Sequence, residues 1–273
     1  MSGVDAAPEA RPVGPTDGAA ARARGALAGV VVVAGLVALW QAVVWLTDVP
    51  PFILPAPGRV AATLWTSAPL LAEHALVTAT EVALGLVIGV ALGVGTALLL
   101  MVSSLARRVF QPVMVFSQAV PVFALAPLLT LWFGFGLLPK VLMATLIIYF
   151  PVASNFYDGL RRTDRGLLDL ARTMGGSQAR VLFHLRVPSA LPALGSGLRL
   201  AAVYAPIGAV ISEWVGASSG LGYLMIYANA RTKIDLMFAA LMVLALMTVA
   251  LHQAVSWLAR KLAGWAPEST GGA

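Results

Sequence analysis

Asp169-Leu-Ala-Arg-Thr-Met-Gly175, then nine residues, then Leu185-Arg-Val-Pro188, forms the heart of the one long charged segment, 158–190, in a chain that is otherwise mostly apolar. At 3.6 residues per turn Leu167, Leu170, Ala171 and Met174 share one helical face, while Arg165, Asp169, Arg172 and Thr173 take the other. Gly175-Gly176 should stop that helix, because glycine tolerates the left-handed conformation of a C-terminal cap. Ser177 is placed to cap a second helix with the stripe Val181, Leu182 and Leu185, and Pro188 follows at its expected end. The reading is a helical hairpin between two membrane spans.

Moving outward, 59% of the 273 residues are hydrophobic and only 11% are charged, against about 25% charged in soluble domains, which puts the chain in the membrane class. Its net charge of +6 does not imply nucleic acid, since the basic residues sit in short connections between apolar runs rather than beside aromatics. The chain has no cysteine, which removes disulfides and thiolate metal sites.

The apolar runs predict an all-α membrane protein of six transmembrane helices with both termini cytoplasmic. Residues 1–24 read as a disordered cytoplasmic tail and 263–273 as a second tail, flanking a six-span transmembrane domain over 25–262. The spans are expected at 25–47, 78–102, 113–131, 141–157, 191–215 and 236–257. Phe52 to Gly58 reads as extended and Val60 to Leu71 as an interfacial helix. Pro121 and Pro127 should bend or open the third span. Gly85, Gly89 and Gly93, four apart in the second, should admit a close helix neighbour. Glu81 is expected near the outer end, within reach of water, and the 216–235 loop is expected to fold partly back on the bundle. Arg199 is expected to snorkel inward.

The basic residues set an orientation. Arg11, Arg22, Arg24, Arg107, Arg108, the six arginines of 158–190, Arg260 and Lys261 fall on one side, thirteen in all. Arg59, Lys140, Arg231 and Lys233 fall on the other, four in all. The positive-inside rule then puts the charged hairpin in the cytoplasm.

No G-x-x-x-x-G-K-[ST] phosphate loop occurs, so ATP binding of that kind is not expected. His74, His184 and His252 are scattered without ligand-spaced partners, and no serine has triad companions, so neither a metal site, a cofactor site nor a catalytic residue is predicted. The polar residues within spans are candidates to line a passage: Ser117, Gln118, Ser154, Asn155, Tyr204 and Ser212. Helix–helix hydrogen bonding is the competing reading for each.

The 169–188 pattern resembles the cytoplasmic loop motif of ABC-transporter permeases, E-A-A, three residues, G, nine residues, I-x-L-P. Asp169 stands where Glu is usual, Leu170 replaces the first Ala, and Leu185 and Val187 replace Ile and Leu. The resemblance implies the type I ABC importer permease fold in a bacterial cytoplasmic membrane. It further implies that Asp169, Leu170, Ala171, Met174, Gly175, Leu185 and Pro188 form an element that docks on a separate ATPase subunit. Leu54-Pro-Ala-Pro57, Pro121-Val-Phe-Ala-Leu-Ala-Pro127, Leu131-Trp-Phe-Gly-Phe-Gly136 and Gly220-Leu-Gly-Tyr-Leu224 are similar to the nitrate, sulfonate, taurine and pyrimidine-precursor branch. Phe150 to Asp164, Ala205 to Ala209 and Glu213 to Gly216 look most like permeases for hydroxymethylpyrimidine, a thiamine precursor. The implied partners are two ATPase subunits, an extracytoplasmic substrate-binding protein, a second copy of the chain and the lipid bilayer. A self-powered secondary transporter would need ion-coupling carboxylates near the midplane, and a structural scaffold would leave the loop spacing without a reason.

Overall fold

The computed structural model describes residues 15–264, and every regular element among them is helical. The chain divides into two units, residues 1–59 and 60–273. In the first, helix α1 runs Pro15–Thr47. Its uncharged part, Leu27–Thr47, has 21 residues, enough at about 1.5 Å per residue to cross a ~30 Å hydrocarbon core. Residues 15–24, expected to be disordered, belong to this helix; residues 1–14 of that tail and 265–273 of the other lie outside the described residues. Asp48, with φ 46°, closes the helix in the left-handed region that Asp tolerates. Phe52 to Gly58, expected to be extended, is not: the N–H groups of Ile53 and Leu54 both donate to Pro50 O in a turn, and Pro57 already begins a helix.

Helix α2, Pro57–Thr66, carries the chain into the second unit. There the long helices are α3 (Ala68–Val102), α6 (Leu137–Arg161), α9 (Val187–Gly216) and α11 (Ile234–Leu262). Helix α3 starts ten residues before the expected span and absorbs the end of the proposed interfacial segment.

Glycine decides how α3 and α6 pack. A Cβ on Gly85, Gly89 or Gly93 would meet Ala144, Ile148 or Val152 respectively, each at or under 3 Å. Each pair is separated by the same 59 positions, so α3 and α6 run parallel with their backbones in close approach. Helix α9 runs against α6 in the opposite sense: Gly197 abuts Pro151 O and Asn155, and Gly208 abuts Ala144. The core between these three helices holds Ile148, Val152, Phe156, Leu160, Ala201, Ala202 and Ala205, all essentially sealed from solvent.

Two parallel helices require a return crossing, and this is where the expected third span fails. The chain returns as α4 (Ser104–Ala119) and α5 (Val122–Phe133), 16 and 12 residues, each too short to cross alone. The break lies at Val120, whose ψ of 122° is the extended conformation that the following Pro121 imposes. Pro127, by contrast, sits inside α5 without ending it. Among the described residues there are thus five helices long and apolar enough to span and one shorter apolar helix. The turn into α6 uses Gly134 (φ 76°) and Gly136 (φ 147°).

The charged hairpin follows α6. Helix α7 covers Arg165–Thr173, and its end has the Schellman pattern: Gly176 N–H donates to Ala171 O and Gly175 N–H to Arg172 O, both at 2.9 Å, with Gly175 at φ 77°. Helix α8, Gln178–Val181, then passes through a π turn, Leu182–Arg186, straight into α9. Pro188 therefore does not end the second arm. The N–H of Val187 reaches five residues back to Leu182 O, and Pro188, in the first turn of α9, needs no hydrogen-bonded N–H there.

Candidate functional site

The hairpin is the first candidate. Asp164 caps α7 by accepting from Leu167 N–H at 3.0 Å, and Ser177 caps α8 by accepting from Arg180 N–H at 3.3 Å. Only Leu168 of α7 is buried. Leu167, Leu170 and Met174 are exposed, Met174 to 78%, so the apolar stripe faces away from the bundle. Exposed Phe183 adds to the apolar surface of the hairpin. Ala171, Leu185 and Pro188 are half-buried. Asp169 pairs with Arg172 at 3.1 Å on the exposed polar face. An apolar stripe displayed on a short charged loop is the kind of surface that partners cover.

Arg186 fastens this hairpin to the spans. Its guanidinium donates to Leu160 O at 3.0 Å and lies 3.7 Å from Met101 Sδ. One side chain thereby ties the start of α9 to the ends of α6 and α3.

Of the proposed passage residues, two bond inside their own helices. Asn155 Nδ2 donates to Pro151 O at 2.8 Å and Ser212 Oγ to Ala209 O at 2.7 Å, so both bond within their own helices. Ser154 is half-buried; Gln118 and Tyr204 are exposed; the side chain of Ser117 lies outside the described residues. The interhelical polar contact that does occur nearby is one sequence reading missed, Tyr149 Oη to Thr96 Oγ1 at 3.2 Å. Arg199 donates to Ser196 Oγ at 3.0 Å.

The opposite end of the bundle holds a buried polar network that sequence reading also missed. Glu81, expected to reach water, is 0% exposed, and Lys140, counted as a loop charge, is buried beside it with Nζ 2.7 Å from Glu81 Oε1. Glu213, in the last turn of α9, sits under the N-terminus of α10 (Leu221–Ala230). Its carboxylate accepts from the N–H groups of Gly222 and Tyr223 and from Thr78 Oγ1 at 2.6 Å. Negative charge at that helix end is favoured by the macrodipole. Thr78 in turn accepts from Leu221 N–H at 2.8 Å, and His74 Nδ1 from Gly220 N–H at 3.0 Å. The 216–235 segment does fold back, and α3 and α9 hold it by its helix start. Glu213 reaches Gly222 and Tyr223 only 9 and 10 positions on, but the contacts that tie in α3 and α6 join residues 59 to 146 positions apart, which no local pattern reveals.

Comparison with known proteins agrees with the fold. Residues 85–264 match the family described as binding-protein-dependent transport system inner membrane component. A probable ABC transporter permease protein of Haemophilus influenzae is 51% identical, over 83% of this chain and 93% of its own. The formylaminopyrimidine transport permease protein ThiX of Halalkalibacterium halodurans is 35% identical over 79% and 86%. The riboflavin transport system permease protein RibX of Chloroflexus aurantiacus is 36% identical over 84% and 87%. In solved structures the fold recurs in the inward-facing MetNI methionine ABC transporter, with a TM-score of 0.63 and 19% identity over 72% of this chain and 98% of that one. The chain belongs to the binding-protein-dependent inner-membrane transport component family: it is a multi-pass permease subunit of an ABC importer, with the type I importer fold, and not itself an enzyme.

Proposed function

We propose that two copies of this chain form the pathway, that ATPase subunits dock on the 158–190 hairpin from the cytoplasm, and that a substrate-binding protein delivers the solute from outside. The observation that carries the coupling role is the outward-facing stripe of Leu167, Leu170 and Met174 on a hairpin bolted to α3, α6 and α9 by Arg186. ATP binding would close the ATPase pair, move the hairpins and rock these helices between outward- and inward-facing states. Asp169, Leu170, Ala171, Met174 and Gly175 form the docking arm; Leu185 and Pro188 form the joint to α9. Tyr204 and Gln118, exposed in the single chain, are the two passage candidates best able to face a space between copies. Ser117 and Ser154 are secondary, and Asn155 and Ser212 contribute chiefly to their own helices.

For the substrate, we propose a pyrimidine precursor of thiamine of the hydroxymethylpyrimidine class. Support comes from the ThiX relative together with the resemblance around 150–164 and 205–216. The RibX relative, equally similar, supports flavin as a second reading, and sulfonate, taurine or nitrate transport remains the alternative within the same branch. A thiamine auxotroph fed limiting hydroxymethylpyrimidine should depend on this chain for growth. Pyrimidine-supported growth that survives its deletion, with loss of riboflavin or sulfonate uptake instead, would overturn the substrate and leave the permease intact.

A further inference from the structure

A cavity of about 930 Å³ opens at the hairpin end of the bundle. One wall is the last turn of α3, with Leu98, Leu99, Met101 and Val102; the other is the hairpin, with Leu182 and Phe183. Three arginines line it: Arg107 from the start of α4, Arg172 from α7 and Arg186 from the π turn. No Asp or Glu is among its lining residues. Arg172 has Asp169 as an exposed partner. Arg107 has its Nε on Leu100 O at 3.2 Å, and Arg186 its guanidinium on Leu160 O. Among the described residues neither Arg107 nor Arg186 meets a carboxylate. Arg172 also acts on Arg186 as a like charge. Two of the three converging guanidiniums, Arg107 and Arg186, thus have no carboxylate counter-ion, and the third, Arg172, has only the exposed Asp169 outside the cavity lining.

We propose that this cavity binds an anionic phospholipid of the cytoplasmic leaflet, its phosphate held by Arg107, Arg172 and Arg186 and its acyl chains laid along the end of α3. Two features select a lipid over a soluble anion. The guanidiniums lie at the end of an apolar span, at the depth where headgroups meet hydrocarbon. The wall beneath them is aliphatic and open, with Leu99 47% and Val102 70% exposed, and so continues into the surface that acyl chains cover. Guanidinium groups match phosphate oxygens in geometry and charge. A lipid there would wedge between α3 and the hairpin, so leaflet composition would set how stiffly the two are joined. Only the choice of leaflet rests on the orientation proposed above.

The test uses the full chain in nanodiscs of phosphatidylcholine doped with spin-labelled phosphatidylglycerol, and native mass spectrometry of the chain released from them. Saturable retention of phosphatidylglycerol over phosphatidylcholine is expected, undiminished by millimolar inorganic phosphate. Arg107→Gln and Arg172→Gln should each weaken it about fivefold, as expected for loss of one cationic contact near the surface. Arg108→Gln, which removes the neighbouring charge outside the cavity lining, should leave it unchanged. Equal retention of both lipids, displacement by inorganic phosphate, an equal loss in Arg108→Gln, or retention abolished when the ATPase docks would each overturn the proposal.

Discussion

Lys140 and Glu81 form an ion pair of 2.7 Å inside the bundle, with side chains 9% and 0% exposed, joining the start of α6 to the outer part of α3. The second carboxylate oxygen, Oε2, has no hydrogen-bond partner among the described residues. Such a pair is weak evidence for net stability, because both charges lose their hydration, but breaking it from one side strands a buried charge. Lys140→Met should therefore destabilise the protein by about 3–5 kcal/mol. Replacing both residues by methionine should recover most of that loss. Thermal melting in matched nanodiscs checks it; a double variant as unstable as Lys140→Met would show that the cost comes from lost packing.

Glu213 has a different duty, holding the start of α10 in place through Gly222, Tyr223 and Thr78. Glu213→Ala removes the acceptor for three donors, a local cost of about 1–3 kcal/mol for buried groups left unpaired. Glu213→Gln keeps an oxygen there and should cost less. The readout is hydrogen exchange at residues 220–224, faster in Glu213→Ala by one to two orders of magnitude, with α11 unaffected. Gly220→Ala should behave similarly, because its φ is 114° and an added Cβ would collide with the Glu213 carboxyl group.

Within α3 two glycines should respond with opposite sign. A Cβ on Gly89 would sit 2.8 Å from Ile148 Cγ2 and 3.2 Å from Thr145 O, and Ile148 is fully buried against α9. Gly89→Ala should thus cost about 1–3 kcal/mol by overpacking. Gly95 has nothing within 4 Å of its Cβ position, so Gly95→Ala should be neutral or stabilise by up to about 1 kcal/mol through helix propensity. Melting temperatures of the two variants, measured together, decide it.

The parts of the fold legible in the sequence were those fixed by local chemistry. Gly175 and Ser177 announced the hairpin caps, and the four-residue glycine spacing of Gly85, Gly89 and Gly93 announced a close neighbour, because each depends on a few adjacent positions. The third span was legible in its proline but not in its extent: Pro121, expected to bend or open it, opens it at Val120 and leaves two helices each too short to span alone. Pro188 misled in the other sense, since a proline after a π turn starts a helix as readily as it ends one. The outer network was out of reach. Glu81, Lys140, Thr78 and Glu213 belong to three helices, and nothing local to any of them marks the others as partners. Leu168 was hidden more simply: it sits one position from the exposed stripe, and only the packing of α7 shows which leucine turns inward.

The hairpin carries the most specific prediction, because two substitutions disturb it in separable ways. Gly175 has no atom within 4 Å of its Cβ position, so Gly175→Val meets no clash and acts through its φ of 77° alone. A β-branched residue forced into that region costs about 1–2 kcal/mol, which the α7 terminus can relieve by giving up its two Schellman bonds. The stripe of Leu167, Leu170 and Met174 would then tilt while Arg186 keeps the joint to α3 and α6. Asp169→Lys leaves the backbone alone and changes charge. It turns an exposed i,i+3 attraction to Arg172 into repulsion, worth only a few tenths of a kcal/mol to α7 itself. If Asp169 meets a basic groove of the ATPase, the same change weakens docking several-fold. Both variants should insert and melt as the parent does, yet lose transport and most substrate-stimulated ATP hydrolysis in reconstituted complexes. Raising the ATPase concentration should restore part of the activity of Asp169→Lys, whose docking is weak, and less of that of Gly175→Val, whose stripe is misaligned. Normal transport by both variants with the ATPase stably bound would remove residues 158–190 from the coupling pathway.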